Sequence, residues 1–154
     1  MGQQQLLLVI LVTIIVGIAT VVAINTFGSA ADQANIDAVT NDIATLASAA
    51  QGYYMRPAML GGGSRSFTGL TFEGLAFPAT GVTANGLTAQ NENGRYTISA
   101  VTATDFVVTA QPASGDEYAP GPVADGVLTG TGTDAVEADR ISATVEPNEF
   151  SFDS

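Results

Sequence analysis

The chain has 154 residues, 15 acidic against 4 basic, and a formal net charge of −11 with no Cys, no His and no Trp. The missing Cys and His exclude disulfides, thiolate and imidazole metal ligands, and every nucleophilic triad that needs a histidine base. All four cations are Arg, and a surface this negative repels phosphate backbones and anionic lipid, so no nucleic-acid partner is expected.

The first element is an apolar run at residues 6–24, LLLVILVTIIVGIATVVAI, behind the uncharged stub MGQQQ. About 19 residues at 1.5 Å rise each span about 28 Å, close to the hydrocarbon thickness of a bilayer. The stub has no Lys or Arg and the apolar run is longer than that of a secretory signal, so removal as one is not expected.

The pattern changes after residue 31. Ile36, Val39, Ile43, Leu46, Ala50 and Tyr53 recur at spacings of three and four, which predicts an amphipathic helix over 32–55. Asp32, Asp37 and Asp42 are expected to turn away from the packed side. No Pro occurs before Pro57, so the two stretches predict one helix of about 50 residues, about 75 Å long. It should end near Arg56, because Pro57 disfavours helix before it and Gly61, Gly62 and Gly63 break any continuation.

Beyond the helix the signals are those of short strands. Residues 66–77 read as a strand or a loop, with Phe67, Leu70, Phe72, Leu75 and Phe77 as core candidates. Asn85-Gly86 and Asn93-Gly94 are turn signals, and residues 86–90, 95–101 and 105–111 alternate as strands, two of them joined at Asn93-Gly94 as a hairpin. Residues 112–122 form a loop, 126–130 and 140–145 are expected as edge strands, and 148–154 as a last strand. The fold class is therefore α+β: a long N-terminal helix, apolar then amphipathic, packed on a small antiparallel sheet. Residues 1–31 make an apolar assembly or transmembrane helix, and 32–154 one globular domain, β-rich over 56–154.

Asp134, Glu137 and Asp139, with Asp116, Glu117 and Asp125 upstream, offer oxygen ligands without the spacing of a dedicated calcium loop, and are read as surface charge. Dense acidity without Lys also fits a protein that works in high salt. Tyr53 and Tyr54 are expected to pack against the sheet. No cofactor is called for, and no constellation for an enzyme is present.

The stub MGQQQ with Leu6 behind it, the apolar helix and its amphipathic continuation, the RYTIS of residues 95–99 and the TDFVVTAQP of 104–112 together resemble a mature type IV pilin or pseudopilin. The resemblance implies that Met1 is the first residue after processing of a class III signal peptide, N-methylated, and that Met1, Gln5, Leu6, Leu7, Val9, Ile10, Ile14, Gly17, Ile18, Val21 and Ile24 carry assembly. It implies packing of Ile36, Val39, Ile43, Leu46 and Tyr53 on the sheet. It also implies an inner-membrane subunit that passes into an extracellular homopolymeric filament, serving adhesion or motility. The partners implied are a prepilin peptidase, an assembly platform and an ATPase. The alternatives are a pseudopilin of a type II secretion system and a monomeric membrane-anchored acidic binding protein.

Two positions depart from that family. Gln5 stands where a glutamate is usual, leaving a neutral amide to accept a hydrogen bond from a neighbouring subunit's terminal ammonium, a weaker but more cheaply desolvated contact. The usual helix proline is missing, which puts any soft spot at Asn25 or at Gly17 between Thr13 and Thr20.

Overall fold

The computed structural model describes residues 1–115, 121, 123, 124, 127, 128 and 140–153. Helix α1 runs over Gly2–Met55, followed by a single 3₁₀ turn at Ala58–Leu60 and strands β1 Gly81–Val82, β2 Thr88–Gln90, β3 Gly94–Ser99, β4 Phe106–Pro112, β5 Val123–Ala124, β6 Val127–Leu128, β7 Ile141–Val145 and β8 Phe150–Asp153. The class is α+β, with the strands β1-β2-β3-β4-β7-β8 antiparallel throughout. Strand β6 adds to β1 in parallel and pairs β5 on its other side. Contacts divide the chain into two compact units, Met1–Ala34 and Asn35–Ser154.

In the first unit the helix is unbroken and every side chain is exposed. The expected soft spots at Gly17 and Asn25 are not breaks. Each hydroxyl here bonds back to its own helix: Thr13 Oγ1 to the Val9 carbonyl, Thr20 Oγ1 to that of Val16 at 2.8 Å, Thr26 Oγ1 to that of Val22 at 2.8 Å and Ser29 Oγ to that of Asn25 at 3.1 Å. The hydroxyls add a bond without displacing the i to i−4 ladder, and Gly17 is carried by its well-formed neighbours.

The second unit packs one face of helix residues 35–55 on the sheet. Val39, Ile43, Leu46, Ala47 and Ala50 are fully buried, and meet the inward residues Ala89, Tyr96, Ile98, Phe106, Val108, Ala110, Ala143 and Val145 in one core. Tyr53 and Tyr54 are half-buried against it. Ile36 departs from the expected stripe: it is 37% exposed, because the core begins only one turn later, at Val39.

Residues 66–77 contain no strand. They turn repeatedly, and Phe67, Leu70, Phe72 and Leu75 enter the core individually. Phe67 lies 4.9 Å from Tyr54 and 5.0 Å from Phe106 between ring centroids, while Phe77 lies 5.4 Å from Phe72 and 5.0 Å from Tyr96. The loop thus supplies the aromatic bulk that the Ala- and Val-rich strands lack.

Both turn signals are turns. Asn85 Oδ1 accepts from Thr83 Oγ1 at 2.6 Å and from the Leu87 N–H at 3.1 Å, between β1 and β2. Asn91 Oδ1 accepts from the Asn93 and Gly94 N–H groups at 2.9 and 3.0 Å, closing the β2–β3 hairpin. A Cβ on Gly94 would stand 2.2 Å from the Gln111 carbonyl oxygen, so the pairing of β3 with β4 requires glycine there. The expectation that residues 140–145 form an edge is corrected: β7 lies between β4 and β8, and β8 is the edge, because residues 148–153 fold back on β7. Likewise β6 lies inside and β5 outside. The acidic residues Asp116, Glu117, Asp125, Asp134, Glu137 and Asp139 lie outside the described residues, as does most of the loop expected at 112–122.

Candidate functional site

Two features of α1 carry chemistry. The first is the apolar run. Leu6, Leu7, Val9, Ile10, Ile14, Ile18, Val21 and Ile24 are each roughly half exposed or more, and Met1, Gln5 and Gly17 are open as well. Exposure of this kind on every side of a helix, with the only two hydroxyls of residues 6–24 satisfied internally, is the surface a hydrocarbon-like medium accepts: no polar group in the run asks for water. The helix is long and apolar enough to cross a membrane, a property that a signal sequence shares. Gln5 is exposed.

The second feature is Asp42, which was expected to turn away from the sheet. Its Oδ2 accepts from Tyr96 Oη at 2.6 Å, Asn93 Nδ2 at 2.8 Å and Asn91 Nδ2 at 2.9 Å. The correction has a simple cause: residues 35, 39, 42 and 46 follow spacings of four, three and four, so Asp42 belongs to the buried stripe and not to its back. Asp32 and Asp37 are exposed, as expected. Burial pushes the Asp42 carboxyl up, but the hydrogen bonds from Tyr96, Asn93 and Asn91 outweigh it and hold the group below the usual carboxylate range.

Two more polar residues brace the same helix. Asn35 Nδ2 donates to the Asn93 carbonyl at 3.0 Å, and its Oδ1 accepts from the Ser114 N–H at 3.1 Å. Gln51 Nε2 donates to the Glu146 carbonyl at 3.3 Å. The seven-residue step from Asn35 to Asp42 is two helical turns, the signal that would have found both. All three fix the helix to the domain, which is a holding role and not a reactive one.

No family model, curated protein or solved structure matches this chain. Its function is therefore argued from its own residues. Among the described residues no group of three His, Cys, Asp or Glu is placed to hold a metal ion.

Proposed function

We propose that the chain is the structural subunit of an extracellular type IV pilus-like filament, assembled through residues 6–24. The observation that carries this reading is that a single α-helix holds both a run that is apolar on every side and, from Val39 on, a stripe buried against a sheet. A simple anchor needs only the first half. A packed helical array uses both, with like helices covering the apolar run and a rigid head displayed by the rest.

The mechanism is assembly. Before polymerisation the apolar run rests in the inner membrane, and transfer into a filament core gains little hydrophobic free energy because both media are apolar. Van der Waals packing and energy supplied by an ATPase and platform therefore drive the transfer. After it, returning the core to water would cost about 1.5 to 3 kcal/mol for each large side chain, which keeps the fibre together. The acidic heads keep fibres soluble and apart.

Shearing cells that express the chain and imaging the released material tests this against its alternatives. Long, abundant fibres containing the chain support a pilus. Short fibres seen only on overexpression identify a secretion pseudopilin, and the absence of fibres, with the chain left in the membrane fraction, identifies an anchored binding protein.

A further inference from the structure

Two exposed apolar surfaces of the domain carry opposite charge. The first is the knob at residues 55–65, MRPAMLGGGSR, which follows the last turn of α1 and holds Arg56 and Arg65, half of the chain's four cations, with no acid. Met55, Met59 and Leu60 are 72%, 96% and 71% exposed. The knob is nevertheless tightly built. The Gly63 N–H donates to the Tyr53 carbonyl at 2.9 Å, the Arg65 N–H to that of Tyr54 at 2.8 Å and the Ser64 N–H to that of Arg56 at 3.0 Å, so the loop caps the end of the helix. A side chain on Gly62 or Gly63 would run into the carbonyl of Arg56 or of Ser66, and Ser64 and Arg65 both take positive φ, 49° and 69°, which non-glycine residues seldom adopt. Backbone bonds thus fix a loop whose large apolar side chains stand in water, and strain held in this way is a mark of a recognition surface.

The second surface is the edge strand β8. Phe150 and Phe152 pair with Val145 and Ala143, which belong to the core, so both rings stand on the helix side of the sheet. The helix leaves them uncovered: they are 38% and 44% exposed, and pack edge to face with centroids 5.7 Å apart. Glu146, Glu149 and Asp153 flank them, all exposed, with no cation in residues 146–153. Among the described residues no ion pair joins Arg56 or Arg65 to these acids. The chain also leaves the knob away from β8: the Phe67 N–H donates to the Ala103 carbonyl in the β3–β4 turn at 3.2 Å, and the Phe72 N–H to that of Gly86 in the β1–β2 turn at 2.8 Å.

We propose that the knob of one copy docks on the β8 edge of a second copy, Met55, Met59 and Leu60 covering Phe150 and Phe152 while Arg56 and Arg65 meet Glu146 and Glu149. Thioethers are adaptable and pack well against aromatic rings, and opposite charges at the rim set the orientation. Knob against knob, or edge against edge, would bring like charges together. The contact is therefore heterologous, and each pair of copies keeps one knob and one edge for further copies. It joins domains and needs no packing of the apolar runs, so it stands apart from the filament reading.

The test is thiol crosslinking of the purified full-length chain in detergent micelles, where the lack of native Cys makes each introduced thiol unique. Ala58→Cys and Asn148→Cys lie at exposed positions beside the two surfaces and leave the side chains of the contact in place. A short bismaleimide should join the two variants when they are mixed and give no dimer from either alone. Adding Arg56→Glu and Arg65→Glu to the Ala58→Cys chain should lower the crossed product about tenfold, and Glu146→Arg with Glu149→Arg on the Asn148→Cys chain should restore it. Equal dimer from either variant alone, no crossed product, or a yield unmoved by charge reversal overturns the proposal. Crossed product from a chain that forms no fibres on cells sinks the filament reading and supports this contact, whereas fibres without crossed product do the reverse.

Discussion

The Tyr96 hydroxyl donates to the Asp42 carboxylate at 2.6 Å, joining the centre of β3 to the middle of the helix face that lies on it. Tyr96 is fully buried and Asp42 partly so. With Asn91 and Asn93 on the same oxygen, one carboxylate registers the helix against the β2–β3 hairpin.

Asp42→Ala should destabilise the domain by about 1 to 3 kcal/mol, at the lower end because water reaches the carboxylate. The effect should depend on pH. The folded carboxyl titrates below its unfolded value of about 3.9, so its contribution is complete above that value and is lost as pH falls through the folded one. Urea unfolding of the natural chain and of Asp42→Asn at pH 7, 4 and 3 should show a gap that narrows below pH 4. A gap that is constant over this range would contradict the assignment.

Ile43 is fully buried and Ile36 is not. Ile43→Ala should cost about 2 to 5 kcal/mol by cavity formation, and Ile43→Asp should abolish the folded domain by burying an unpaired charge. Ile36→Asp should change stability by less than about 1 kcal/mol. Circular dichroism and denaturant titration of the three variants check the order.

Gly94→Ala should destabilise the domain by about 1 to 3 kcal/mol, since β3 must move from β4 to admit the methyl group. Gly17→Ala meets nothing within 4 Å and should leave the domain unchanged while favouring the helix by about 1 kcal/mol. Thermal unfolding of both variants, with helix content measured separately, distinguishes the two sites.

Gln5→Ala should still yield fibres, because a neutral exposed amide supplies at most an ordinary hydrogen bond. Fibre mass recovered by shearing is the readout, and complete loss would make the amide indispensable to assembly.

Much of the fold is legible in the sequence because its signals are local. The apolar run, the stripe of Val39, Ile43 and Leu46, Pro57, and the Asn-Gly pairs each mark a boundary or a face by short-range chemistry. What the sequence hides is pairing at a distance. Nothing near residues 141–145 tells that residues 150–153 cover their outer edge, or that β6 runs parallel to β1. Leu70 and Phe72 alternate like a strand yet reach the core from a loop, where aromatic bulk adds to strands whose inward residues are mostly Ala and Val. Asp42 carries a charge that points to solvent, against its place on the helix. The helical spacing placed it on the packed side, and three donors on the hairpin make that position tolerable.

The most direct test of the filament reading is a helical reconstruction by electron cryomicroscopy of fibres sheared from cells expressing the chain. The prediction is that residues 6–24 line the fibre axis, in contact only with the same residues of neighbouring copies, while the sheet stands outside. A map in which those residues are surrounded by lipid, or in which another protein forms the core, would contradict it.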